Sequence, residues 1–204
     1  MENWRESVPA VLMAWYSGMQ GGHALADVLL GHVDATGRLP FAIPTDEAHL
    51  PPFDRDASAI SYDRWYGQRL LDRRGVPAAY PLGYGLSYTT FALAGAAAEL
   101  HGPETVRVRT TVHNTGDRDG RHVVQVYGVR LDGDRASERA LLGFAPAQVQ
   151  ARGSKEIVLG ASLRPLGRWD PSARQLRIPA GPIRLEVAGW AGDPGRQEAD
   201  LMLP

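Results

Sequence analysis

Pro81-Leu82-Gly83-Tyr84-Gly85-Leu86-Ser87-Tyr88-Thr89-Thr90-Phe91 divides the 204-residue chain into two parts with different hydrophobic order. Gly83 and Gly85 let the backbone turn where a Cβ would clash, and Tyr88 to Phe91 favour an extended strand. The stretch therefore reads as a sharp turn feeding a strand. Upstream, Val8 to Trp15 (VPAVLMAW) is a continuous apolar run of the kind found in a parallel strand covered on both faces. A turn at Ser17 to Gly22 follows. Ala24, Leu25, Val28 and Leu29 then fall at helical spacing, which predicts a helix over 23–30 stopped by Gly31. GRLPFAIP (37–44) supplies a second short strand. This strand-helix-strand unit of roughly 50 residues is too small to bury its own faces, so something must cover it. Residues 45–79 turn to charge clusters (DRDAS, DRR) and read as an irregular connector wrapping a neighbour.

Downstream the period becomes two. Val106, Val108, Thr110 and Val112 share one face, with Arg107, Arg109, Thr111 and His113 on the other. Val124 and Val126 alternate with Gln125 and Tyr127, and Ile183, Leu185 and Val187 with Arg184 and Glu186. Short alternating strands between turn clusters (NTGDRDG, DGDRAS, ARGS, PAGP) over roughly 110 residues imply an immunoglobulin-like sandwich. The expected fold is mainly β, a C-terminal β-sandwich preceded by a partial α/β segment. The divisions are 1–50 for the α/β unit, 51–95 for the connector and 96–204 for the sandwich.

Composition narrows the function classes. A formal charge of −1, from 22 Lys+Arg against 23 Asp+Glu, gives no field to attract nucleic acid or an anionic membrane. Lys155 is the sole lysine, so the positive surface is nearly all guanidinium. The absence of Cys excludes disulfides, a thiolate nucleophile and Cys-ligated metal. The six His form no HExxH, and neither a GxSxG nor a P-loop occurs. Counting NTGDRDG as a calcium loop puts Thr115 first and Val126 where a bidentate Glu belongs, so it reads as a β-hairpin turn. No metal or cofactor is expected. MENWRESVPA lacks a signal-like n-region, and the longest apolar run falls far short of the ~20 residues of a membrane span, so the expected location is cytoplasmic.

The order and spacing of AWYSGMQGGHALADVLLG, GRLPFAIP, PLGYGLSYTTF, HNTGDRDGRHVVQVY, LLGF and RWD resemble the C-terminal part of family 3 glycoside hydrolases, the β-glucosidase and β-xylosidase group. The resemblance implies that the sandwich is a fibronectin type III-like domain and that the parent activity is hydrolysis of terminal β-glucosides or β-xylosides. Retaining hydrolysis needs a carboxylate nucleophile and a carboxyl acid/base about 5 Å apart. The resemblance places the nucleophilic Asp on an N-terminal barrel and the acid/base Glu earlier in the α/β domain. Neither has a counterpart here, so no catalytic residue is assigned and the chain is expected to be inactive alone. Its implied partner is a separate barrel-type catalytic subunit or domain. Asp27, Asp63, Glu138 and Asp170 are expected to be solvated or ion-paired.

The family's Pro-Gly-Gln-Glu before the paired glycines is altered here, with Ser17, Met19 and Gln20 replacing Pro, Gln and Glu. Candidate substrate contacts are Trp15, Tyr16, Met19, Gln20 and Trp65, since ligands gather outside strand C-termini and aromatic faces stack on sugars. Gly21 and Gly22 are expected to serve close helix-to-strand packing. Trp169 is expected to anchor the sandwich core, and Trp15, Tyr62, Trp65 and Tyr66 to form a surface against the barrel. The competing class is a non-catalytic module that binds carbohydrate or protein. A third is a scaffold or dimerisation element.

Overall fold

The alternation after residue 91 builds two packed sheets in the computed structural model, which describes residues 3–133 and 138–204. Strand β4 (Thr105–Asn114) turns Val106, Val108, Thr110 and Val112 inward, all buried, while Arg107 and Arg109 face solvent. It lies between β3 (Phe91–Leu100) and β7 (Ser154–Ser162), both antiparallel to it. The facing sheet has the order β11 (Gln197–Leu203), β10 (Gly181–Ala188), β5 (Gly120–Arg130), β6 (Arg139–Val149). Between them lies one apolar core of Val, Leu and Ile, with Val124, Val126, Ile183, Leu185 and Val187 fully buried. This is the expected sandwich. Strand β3 starts at Phe91, ahead of the expected boundary at residue 96.

Particular elements differ from expectation. NTGDRDG is no hairpin turn: β4 and β5 lie in opposite sheets, and the loop carries the chain across the sandwich. Asn114 holds that crossing, its side-chain amide donating to Arg118 O at 2.7 Å and Val149 O at 3.1 Å. Residues 134–137 of the DGDRAS turn lie outside the described residues. Trp169 is 62 % exposed rather than buried, because its strand β8 (Arg168–Asp170) pairs with β9 (Gln175–Arg177) in a small ribbon outside both main sheets.

In the N-terminal part, helix α1 (Gly21–Leu29) forms as the spacing predicts, and Gly31 at φ 73° ends it. Gly21 is packed, a Cβ there meeting Ser17 of the same loop, whereas Gly22 faces open space. Val8 to Trp15 forms no strand. It carries no ladder, and Val11, Leu12, Met13 and Trp15 are all about half exposed. A parallel strand needs neighbours in the sheet, and the described residues supply none. GRLPFAIP yields only β1 (Ile43–Pro44), paired antiparallel with β2 (Ala78–Tyr80). The connector is less irregular than its composition suggests, since Gln68–Arg74 forms helix α2, which buries Leu70 and Leu71. No helix of the described residues is long and apolar enough to cross a membrane.

The PLGYG turn joins the two parts by lying on the outer face of β5. Tyr127 donates to Leu82 O at 3.1 Å, and the Gln125 amide donates to Gly83 O at 3.0 Å and to Gly189 O. Leu39 N donates to Tyr84 O and Gly83 N to Leu39 O, tying in the segment after α1. Asp34 accepts from the Ser87 hydroxyl at 2.7 Å, Tyr88 N at 2.9 Å and Arg121 N at 3.3 Å. Gly85 approaches Gly37 O so closely that a Cβ would sit 2.5 Å from it.

Two predictions follow from this seam. A Cβ at residue 83 would strike Gln125 Oε1 and lie 2.7 Å from the Tyr127 hydroxyl, at φ 83°. Gly83→Ala is expected to cost about 2 kcal/mol or more, read as a lowered urea midpoint at unchanged slope. Gly18→Ala, at φ 68° with nothing within 4 Å, carries the backbone strain alone. Equal losses in the two variants would refute the close-contact account. Beside the seam, His122 is buried with Nε2 unpartnered, its ring 5.0 Å from Phe91. Burial and then the Arg38 charge lower its pKa from 6.5 to about 4, against the opposing pull of Asp193. The unfolded chain therefore takes up a proton that the folded chain refuses, and stability falls with pH between 6.5 and about 4. The total is about 3 kcal/mol. His122→Leu is expected to flatten this slope in urea titrations across that window; an unchanged slope would count against it.

Candidate functional site

Trp15, Tyr16, Met19 and Gln20 share the loop before α1 and point mostly to solvent. Trp15 sits at φ 52° and packs edge-on against Phe41, centroids 5.7 Å apart. Tyr16 and Met19 are fully exposed, and Gln20 Oε1 lies 3.1 Å from His23 Nδ1. Leu25, Leu29, Leu30 and Val33, in and just after α1, are likewise uncovered apolar side chains.

Trp65 lies apart from that loop, beside α2. The guanidinium carbons of Arg64 and Arg73 stand 4.4 and 4.2 Å from its ring centroid, so its indole already makes cation–π contacts. Asp63 accepts from Trp65 N at 2.7 Å and fixes the turn into this position. Trp65 and Tyr62 line an open cleft of about 560 Å³. Tyr66 instead lines a second cleft of about 320 Å³ with Phe41, Leu82 and Arg139. Phe41 thus links the Trp15 loop to the second cleft, while Trp65 belongs to the first.

The carboxylates singled out in the sequence are structural. Asp27 lies 3.4 Å from His32 Nδ1, and Glu138 is buried against Arg64 at 2.9 Å and Arg69 at 3.8 Å. Asp170 accepts from Ser172 N and Ala173 N, and its carboxyl is held below the usual range by the Ala173 bond, the Ser172 bond and the Arg177 charge. Sequence spacing concealed a further cluster. Arg139 on β6 binds Asp72 of α2 at 2.6 Å and Glu186 of β10 at 2.7 Å. Burial works against the Arg139 charge, but the hydrogen bonds and charges of Glu186 and Asp72 outweigh it and raise the guanidinium pKa. Residues 67 and 47 positions away supply those carboxylates, and no local pattern announces them. Asp72 and Glu186 flank a cation rather than a cleft, so they do not form an acid and nucleophile pair.

Comparison with known proteins matches this arrangement. Residues 1–88 match the glycosyl hydrolase family 3 C-terminal domain. An exo-alpha-(1->6)-L-arabinopyranosidase of Bifidobacterium longum is 34 % identical over 190 residues, covering 90 % of this chain and 25 % of its own length. A beta-glucosidase of Rhizobium radiobacter is 34 % identical over 205 residues, covering 93 % of this chain and 25 % of its own. The chain therefore spans about a quarter of the length of these relatives. The solved beta-glucosidase 3B of Thermotoga neapolitana superposes with a TM-score of 0.84 at 28 % identity, over 98 % of this chain and 29 % of that one. A beta-glucosidase of Kluyveromyces marxianus in complex with glucose gives 0.87 at 27 %, over 99 % and 25 %. This chain belongs to glycosyl hydrolase family 3, as the C-terminal part that carries a fibronectin type III-like sandwich.

Proposed function

We propose that residues 1–204 supply the supporting C-terminal architecture of an enzyme that hydrolyses terminal β-glucosides or related pyranosides, and that a barrel-bearing polypeptide segment supplies the bond-breaking groups. One observation carries this reading: the apolar segment Val8 to Met19 and helix α1 lie uncovered beside a sandwich whose own core is complete. An extended apolar segment and an amphipathic helix without neighbours are the near half of an interface. Relatives of four times the span, named for removal of glucose or arabinopyranose, support the substrate class. Glycoside cleavage in the retaining mode asks for two carboxyls about 5 Å apart across the scissile bond. Buried Glu138 and Glu186 are instead neutralised by Arg64, Arg69 and Arg139, and buried Asp193 accepts from Gly189 N and Gly195 N, which suits all three to holding shape.

In this reading the chain's contribution is positional. The Asp34 and Gly83 seam holds the α1 segment to the sandwich, and the segment presents Val11, Leu12, Met13 and Trp15 to the incoming sheet. The purified chain alone is expected to show no turnover of a chromogenic β-glucoside above the uncatalysed rate. Mixing it with the remaining three quarters of the Bifidobacterium longum relative is expected to restore turnover and to slow amide exchange at residues 8–16. Turnover by the chain alone, retained through further purification, would sink the proposal. Saturable polysaccharide binding without any complementation would favour the binding-module reading.

A further inference from the structure

The cleft beside α2 plays no part in the seam or in the uncovered apolar segment, and its chemistry is distinct from both. Its lining includes Pro51, Pro52, Tyr62, Trp65, Arg73 and Arg74. Tyr62 is 54 % exposed, so its ring is available to a ligand. The volume of about 560 Å³ falls within the range of small-molecule sites.

Charge gives the cleft its character. Neighbouring guanidinium groups are consumed: Arg64 and Arg69 by Glu138, and Arg139 by Asp72 and Glu186. Asp72 is also bound by the Gln68 amide at 2.9 Å. Among the described residues no carboxylate pairs with Arg73 or Arg74. Arg74 donates to Ala48 O at 3.3 Å, and Arg73 is held against the Trp65 ring, which restrains its position but leaves its planar edge of N–H donors unused. The one acid in the lining, Asp63, accepts from Trp65 N, so the cleft sets two guanidiniums against one carboxylate and stays net positive. Two guanidiniums without carboxylate partners line one cleft, one pre-positioned by stacking, and offer the N–H donors that a carboxylate or phosphate accepts. A tyrosine ring and two proline rings in the same lining offer the flat apolar contact that suits the C–H face of a pyranose.

We propose that this cleft binds a small sugar bearing an anionic group, with Arg73 and Arg74 holding the anion and Tyr62 packing on the ring. The proposal does not depend on complementation by a barrel and is tested on the full chain. Calorimetric titration would use glucuronate, glucose 6-phosphate and neutral glucose as probes. At least one anionic sugar is expected to bind at least about tenfold more tightly than glucose, with affinity falling as salt rises. Binding of glucuronate alone would assign a carboxylate, and of glucose 6-phosphate alone a phosphate. Arg73→Gln is expected to erase the preference, Arg73→Lys to retain part of it, and Tyr62→Ala to weaken anionic and neutral sugars alike. Arg73 and Tyr62 are both exposed, so each variant's unfolding midpoint checks that the fold persists. Equal affinity for all three sugars, no binding by either anion, or an undiminished preference in Arg73→Gln would overturn the assignment.

Discussion

Strand β5 has no solvent side over most of its length, and the rest of the molecule is arranged around that constraint. Val124 and Val126 face the sandwich core, while Gln125 and Tyr127 face the opposite way and are equally buried. A buried amide and phenol are costly unless paired, and here they are paired with backbone carbonyls of Leu82, Gly83 and Gly189. The Tyr127 hydroxyl also reaches Gln125 Oε1 at 2.6 Å, so the two side chains satisfy each other as well as the turn. Burial pushes the Tyr127 phenol well above its usual pKa, which keeps it a donor. The PLGYG turn is thus the lid of a polar slot, and only a residue without a side chain can occupy its centre.

A second attachment lies at α2. Leu70 and Leu71 supply the apolar contact, and Arg139 with Asp72 and Glu186 supplies direction. Taking these charges from water offsets much of their attraction, so the cluster contributes modestly to stability and more to where the helix must sit. Arg196 extends the arrangement to Glu186 and Glu198, and Arg184 to Asp200, so guanidinium groups run along the outer edge of β10 and β11. A chain with a single lysine uses planar, multidentate cations where α2 and the turn before it meet the sandwich.

These attachments leave the molecule asymmetric. The sandwich side has a closed core, whereas the α1 side holds its place through backbone and Asp34 contacts while exposing its apolar residues. That contrast underlies the reading of the chain as architecture awaiting a complement. The cleft beside α2 adds a separate polar feature on the connector, where stacked guanidiniums rather than apolar area decide what can bind.

The sandwich was legible in the sequence because period-two burial is a local property: Val106, Val108, Thr110 and Val112 declare their face within one strand. The order of short motifs likewise revealed the family, and helical spacing revealed α1. Tertiary structure alone decided what depended on neighbours. Val8 to Trp15 has a strand's composition but remains unpaired, because a ladder requires a second chain segment. Trp169 stays exposed because its ribbon lies outside both sheets, and NTGDRDG crosses between sheets because strand pairing is non-local. Arg139 met its carboxylates, and Trp65 the guanidinium of Arg73, through contacts across folded elements that no spacing encodes. Local periodicity set which residues face inward; long-range packing set which of those faces found a partner.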